Sequence, residues 1–122
     1  MVIDSNIIIY AAKPANHALR KYISTRFAII SSVTILETLG YHLLKKDEAD
    51  ALNYIIENAV VADIDRHIIT IATSVRQKVN VSVADAIVAA TALYYEFELA
   101  TNNESDFKNI TGLKLVNPLK II

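Results

Sequence analysis

The first twelve residues, Met1-Val2-Ile3-Asp4-Ser5-Asn6-Ile7-Ile8-Ile9-Tyr10-Ala11-Ala12, decide the fold. Met1 to Asp4 is a short apolar run without polar alternation, the pattern of a strand buried on both faces. An acid, a serine and an asparagine interrupt it, and a second apolar run, Ile7 to Ala12, follows at once and stops before Pro14. An acid that closes a buried strand can cap the next helix. It can equally hold chemistry at the strand's carboxyl end, where open α/β sheets bind their ligands.

Outward from this stretch the same alternation repeats. Phe27 to Ile30, Val60 to Ala62, Glu98 to Thr101 and Lys114 to Val116 are further brief runs of strand-forming residues. Between them lie segments of helical period. His17 to Ser24 is one. Ile35 to Leu44 is another, with Ile35, Leu36, Leu39, Leu43 and Leu44 on one face and Lys45 and Lys46 closing its last turn. Lys46 to Asn58 and Asp65 to Val79 follow, and Val83 to Phe97 is the most apolar of all. This order predicts one three-layer α/β domain over residues 1–122, with a mostly parallel five-stranded sheet flanked by helices.

Composition narrows the chemistry. The 122 residues contain no cysteine, which removes disulfides, thiolate metal sites and a Cys nucleophile. Only Gly40 and Gly112 are glycines, too few and too far apart for a phosphate-cradling G-x-G-x-x-G or P-loop. The net charge of −1 gives no basic footprint for nucleic acid. No run is long and apolar enough to span a membrane and no secretory signal is evident, so the cytoplasm is the expected compartment and no membrane partner is expected.

Acids recur where the strands close. Asp4 ends the first run, Glu37 is expected in the first turn of the helix after the second, and Asp85 opens the helix Val83 to Phe97. The fourth run leads into Thr101-Asn102-Asn103-Glu104-Ser105-Asp106-Phe107. Taken singly, Thr34-x-x-Glu37 and Ser82-x-x-Asp85 also fit capping boxes, and Asp4 and Asp106 fit ordinary caps. Together, four acids at one end of a sheet repel one another by roughly 4 kcal/mol per close pair at an effective dielectric near 20. Divalent cations relieve that cost, and an all-oxygen donor set suits Mg²⁺ or Mn²⁺. If those four charges are neutralised, the rest of the chain is net positive and the composition no longer opposes a nucleic-acid partner.

Asp4-Ser5-Asn6, SSVTILETLG around Glu37, ADAIVAATAL from Asp85, LATNNESDF and GLKLVNP resemble the successive motifs of the PIN-domain nucleases, in particular the small VapC-type toxins of toxin–antitoxin pairs. The resemblance extends from Met1 to Pro118. It implies an endoribonuclease dependent on Mg²⁺ or Mn²⁺, leaving a 5′-phosphate and a 3′-hydroxyl, with Asp4, Glu37, Asp85 and Asp106 as metal-binding and catalytic acids. It assigns supporting roles to Ser5, Asn6, Thr101 and Asn103. It also implies an RNA substrate, a homodimer and a VapB-like antitoxin whose C-terminal segment covers the site. Many relatives carry a basic residue where this chain has Asn102, which removes one phosphate contact.

Four other readings compete. A haloacid-dehalogenase-type phosphoryl-transfer site needs a second Asp where Asn6 stands, and a receiver domain needs a Lys where Asn117-Pro118 follows the last strand. A PIN-like module that binds without cutting, or a PIN nuclease of RNA processing with no antitoxin, would keep the same fold.

Overall fold

Each of the five apolar runs becomes a strand of two or three residues. The computed structural model describes all residues 1–122. In chain order the elements are β1 (Val2–Ile3), α1 (Ser5–Ala12), α2 (His17–Ser24), β2 (Ile29–Ser31), α3 (Ser32–Leu39), α4 (Lys46–Glu57), β3 (Val60–Ala62), α5 (Arg66–Lys78), α6 (Val83–Tyr95), β4 (Leu99–Ala100), α7 (Glu104–Phe107) and β5 (Leu115–Val116), with a 3-10 turn at Pro118–Lys120. All strand pairs are parallel and the order across the sheet is β3-β2-β1-β4-β5. The central strand is therefore β1, the stretch that carries Asp4.

Because successive side chains on a strand point to opposite faces, neighbouring residues feed different cores. Val2, Ile29 and Leu99 pack into the layer formed by α5 and α6. Ile3 and Ile30 pack into the layer formed by α1, α2 and α4. Both faces are covered, which is why the strands read as continuous apolar runs. α3 touches both layers, with Val33 against the first and Ile35 and Leu39 against the second.

Side chains define the helix starts. Asp4, Ser31, Asp65 and Ser82 are N-caps whose oxygens accept from backbone N–H groups of the first turn. In α6 the residues from Ala86 to Ala92 are all buried. Small alanines let this helix lie close to α5 and the sheet, and the one polar member, Thr91, returns its hydroxyl to the Ile87 carbonyl at 2.8 Å.

The structure corrects the reading of residues 31–46. The helix expected over Ile35 to Leu44 starts at Ser32 and ends at Leu39. Gly40 is its C-cap, at a position where a Cβ would collide with the Leu36 carbonyl. Lys45 and Lys46 do not close that helix: Lys45 is the N-cap of α4 and Lys46 its first residue, paired with Asp50 at 2.8 Å. The cap of α3 is Ser31 rather than Thr34, so Glu37 lies in the second turn and not the first. The buried face is also different. Thr34 and Thr38 point inward, the Thr38 hydroxyl bonding the Thr34 carbonyl at 2.9 Å, while Leu36 is 72% exposed beside Glu37.

Candidate active site

The site begins with sheet register. Ile3 pairs with Ala100 across β1 and β4, so the residues that leave these strands, Asp4 and Thr101, emerge side by side. The Thr101 hydroxyl donates to Asp4 Oδ2 at 2.8 Å, and Ser5 N donates to Asp4 Oδ1 at 2.8 Å. Asp4 is 4% exposed and Thr101 fully buried. The same hydroxyl accepts from Asn103 N at 3.0 Å, which fixes the loop leading to α7. Two oxygens with one donor each leave a further acceptor position on both, so the carboxylate is oriented without being saturated.

The other acids arrive from three separate elements. Asp85 is the third residue of α6, its N–H held by Ser82 Oγ at 3.1 Å. Glu37 projects from the second turn of α3, and Asp106 sits exposed on α7. Asp4, Glu37 and Asp85 all have their pKa raised above the ordinary carboxylate range. For each, desolvation is the largest cause. Repulsion adds to it: Asp106 acts on Asp4 and Asp85, Asp4 acts on Glu37 and Asp85, and Asp85 acts on Glu37. No Lys or Arg contributes to any of the three. The four acids singled out in the sequence thus share one electrostatic neighbourhood that lacks positive charge.

This donor set, all oxygen and short of cations, has the chemistry that Mg²⁺ or Mn²⁺ requires. As the side chains stand, no group of three or more is gathered tightly enough to hold an ion, so binding one would draw the acids inward. Two buried polar atoms, Asn6 Nδ2 and Thr34 Oγ1, have no hydrogen-bond partner.

The sequence profile of the PIN domain matches residues 1–113. The chain belongs to the PIN domain family. Solved structures of similar fold include a chain of the VapBC2 complex from Rickettsia felis bound to a promoter DNA fragment, with TM-score 0.80 and 21% identity over 95% of this chain and 96% of that one. The DNA-bound VapBC complex from Salmonella typhimurium gives TM-score 0.82 and 21% identity over 95% and 96%. A toxin–antitoxin complex from Klebsiella pneumoniae gives TM-score 0.77 and 25% identity over 96% of each chain. Among curated proteins no relative matches.

Within this PIN domain Ser5, Thr101 and Asn103 surround Asp4, the first and last through their backbone N–H groups, while Asn6 belongs to a second set of bonds. Asn6 Oδ1 accepts from Asn102 N at 3.4 Å, and Asn102 Oδ1 accepts from Asn117 Nδ2 at 3.1 Å. Asn117, with no role assigned from sequence, is buried and ties the chain's last turn to the acid-bearing loop. Its cap on Leu119 N is local, but its bond to Asn102 spans 15 residues and follows from no local pattern. A second feature also escaped sequence reasoning. A cleft of about 570 Å³ opens between α1, α3 and α4, with an apolar wall that includes Ile9, Tyr41, Leu44 and Leu52 and with three acids, Glu37, Asp47 and Glu48, against one cation, Lys13. Glu37 thus belongs both to the acid rim and to an apolar groove. His42 and His67 pack against Tyr41 and Tyr94 and play no part in the site.

Proposed function

We propose that this PIN domain is an endoribonuclease dependent on Mg²⁺ or Mn²⁺, and the toxin of a toxin–antitoxin pair. The observation that carries the reading is that Asp4 and Asp85 repel Glu37, and Asp106 repels Asp4 and Asp85, with no Lys or Arg acting on Asp4, Glu37 or Asp85. Such an arrangement costs stability unless a function offsets it. Asp4, Glu37, Asp85 and Asp106 would hold a divalent ion, which would supply Lewis acidity toward a scissile phosphate and would lower the pKa of nearby water.

The chain's own residues do the rest. Ser5 N and the Thr101 hydroxyl hold Asp4 in a single orientation, so it enters the reaction already aligned. Ser82 fixes the first turn of α6 and with it Asp85. Glu37 has a raised proton affinity, which suits a group that accepts a proton from the attacking water. Attack by water on phosphorus with departure of the 3′-oxygen gives a 5′-phosphate and a 3′-hydroxyl.

The cleft supports the antitoxin part of the reading. Its apolar walls fit hydrophobic side chains of an extended or helical segment, while Glu37, Asp47 and Glu48 favour a segment that also carries a basic residue. A homodimer is part of the same proposal, supported by the apolar side chains Ile64, Ile69, Tyr94 and Tyr95 exposed around α5 and α6. The decisive experiment is cleavage of RNA by the purified protein with Mg²⁺ or Mn²⁺. Cleavage that survives EDTA, or survives Asp4→Asn combined with Asp85→Asn, defeats the mechanism. A melting temperature indifferent to Mn²⁺ would favour a binding module instead.

A further inference from the structure

The loop after β4, Thr101 to Phe107, carries Glu104 and Asp106 and no basic residue. An approaching polyanion would meet only negative charge there, yet the fold brings one cation to the loop from elsewhere. β5 lies beside β4 in parallel, so the turn that leaves β5 emerges at the same end of the sheet as the loop that leaves β4. From that turn Lys120 places Nζ 2.7 Å from Glu104 Oε2. Lys108, nearer in sequence, forms no ion pair.

The backbone of the turn is anchored and its lysine is not. Asn117 is buried, donates to Asn102 Oδ1 at 3.1 Å and accepts from Leu119 N at 3.1 Å. The Lys120 and Glu104 side chains are 69% and 38% exposed. An ion pair so exposed contributes little to stability, so the ammonium can leave its carboxylate at small cost. Asn102, whose side-chain oxygen accepts from Asn117, is neutral and offers a phosphate no positive charge.

We propose that Lys120 is a substrate-binding residue that exchanges Glu104 for a backbone phosphate of single-stranded RNA lying along the Thr101–Phe107 loop. This rests on the nuclease reading above. The chain thereby supplies from its last turn the phosphate contact that its acid-bearing loop lacks.

The test is steady-state cleavage of a single-stranded RNA oligonucleotide across a series of salt concentrations, with binding of the same oligonucleotide followed by fluorescence anisotropy. Lys120→Gln should raise KM about fivefold with kcat unchanged, and should lower the slope of log affinity against log salt by about 0.7, the share of one phosphate contact. Lys120→Arg should restore both. Lys114→Gln, the same charge change at the opposite end of β5, should alter neither. Glu104→Gln separates binding from tethering: it should leave KM equal or lower if the lysine meets phosphate. A rise in KM matching that of Lys120→Gln would show that the pair only braces the loop, and would overturn the proposal. Wild-type protein that cuts RNA while Lys120→Gln is indistinguishable from it overturns this inference alone. Wild-type protein that neither binds nor cuts RNA overturns the nuclease reading and this one with it.

Discussion

The two helical layers on either side of the sheet are finished differently. Against one face, α5 and α6 close completely: Ile68, Ala86, Val88, Ala89 and Ala90 have no exposed surface. Against the other, Ile3, Ile7, Ile8 and Leu19 are equally buried, yet α1, α3 and α4 leave a cleft of about 570 Å³ between them. The closed layer delivers Asp85 on a helix that nothing can shift cheaply, since close-packed interiors resist displacement. The open layer delivers Glu37 beside an exposed Leu36, within reach of a partner. One rim therefore combines acids on rigid supports with an acid on an accessible wall.

Substitutions can break this comparison. The largest effect is expected at the acids of the rigid support: Asp4→Asn or Asp85→Asn should lower RNA cleavage by about a thousandfold, with the folded state intact by circular dichroism. A smaller loss in Glu37→Gln would mark the open-wall acid as secondary, and an equal loss would erase the distinction. Next comes stability. Ile68→Ala in the closed layer should cost about 3 kcal/mol in urea unfolding, because it leaves a cavity where packing is tight. Ile9→Ala on the cleft wall, already 44% exposed, should cost under about 1 kcal/mol. Equal costs would mean the cleft wall is as tightly packed as the closed layer.

Thr101→Val tests how the rigid support works. It removes the hydroxyl that orients Asp4 and should reduce cleavage about thirtyfold, with a matching loss of Mn²⁺ affinity read from melting temperature. Unchanged Mn²⁺ affinity would show that Thr101 does not set the carboxylate's pose. The smallest effect is on pH dependence. Asp4, Glu37 and Asp85 have folded-state pKa values above their unfolded ones, so protonation favours the folded state. Their stabilising contribution is full below the ordinary carboxylate range and is lost as pH rises through the raised values. Metal-free protein should therefore gain melting temperature as pH falls from neutral toward the ordinary carboxylate range, and Asp4→Asn should flatten that rise. Mn²⁺ should stabilise most at the upper end. A metal-free melting temperature that falls over this interval would contradict the electrostatic picture.

Much of this was legible in the chain. Continuous apolar runs announced strands covered on both faces, and the acids at their ends were found by asking what closes each strand. Ser82-x-x-Asp85 was visible both as a cap and as a site residue, and the structure gives it both positions: the Ser82 hydroxyl holds the Asp85 N–H while the carboxylate feels Asp4 and Asp106. The misreading lay around α3, where five apolar residues at helical spacing outweighed Gly40. The real helix turns Thr34 and Thr38 inward: the Thr38 hydroxyl bonds to the helix's own carbonyls, which makes that residue acceptable in the core, whereas the Thr34 hydroxyl is buried without a partner.

The sequence by itself pointed to the strands, most of the helices and a parallel sheet, and singled out four acids at strand ends as candidates, because periodicity and strand-end chemistry are local properties of the chain. Tertiary structure alone decided how the strand-end loops are tied together. The bonds from Thr101 to Asp4, Asn117 to Asn102 and Lys120 to Glu104 join segments that meet only when β1, β4 and β5 align in register. The cleft beside Glu37 likewise exists only where three helices fail to close, and how closely helices approach is set by packing across the core, which no single stretch of sequence encodes.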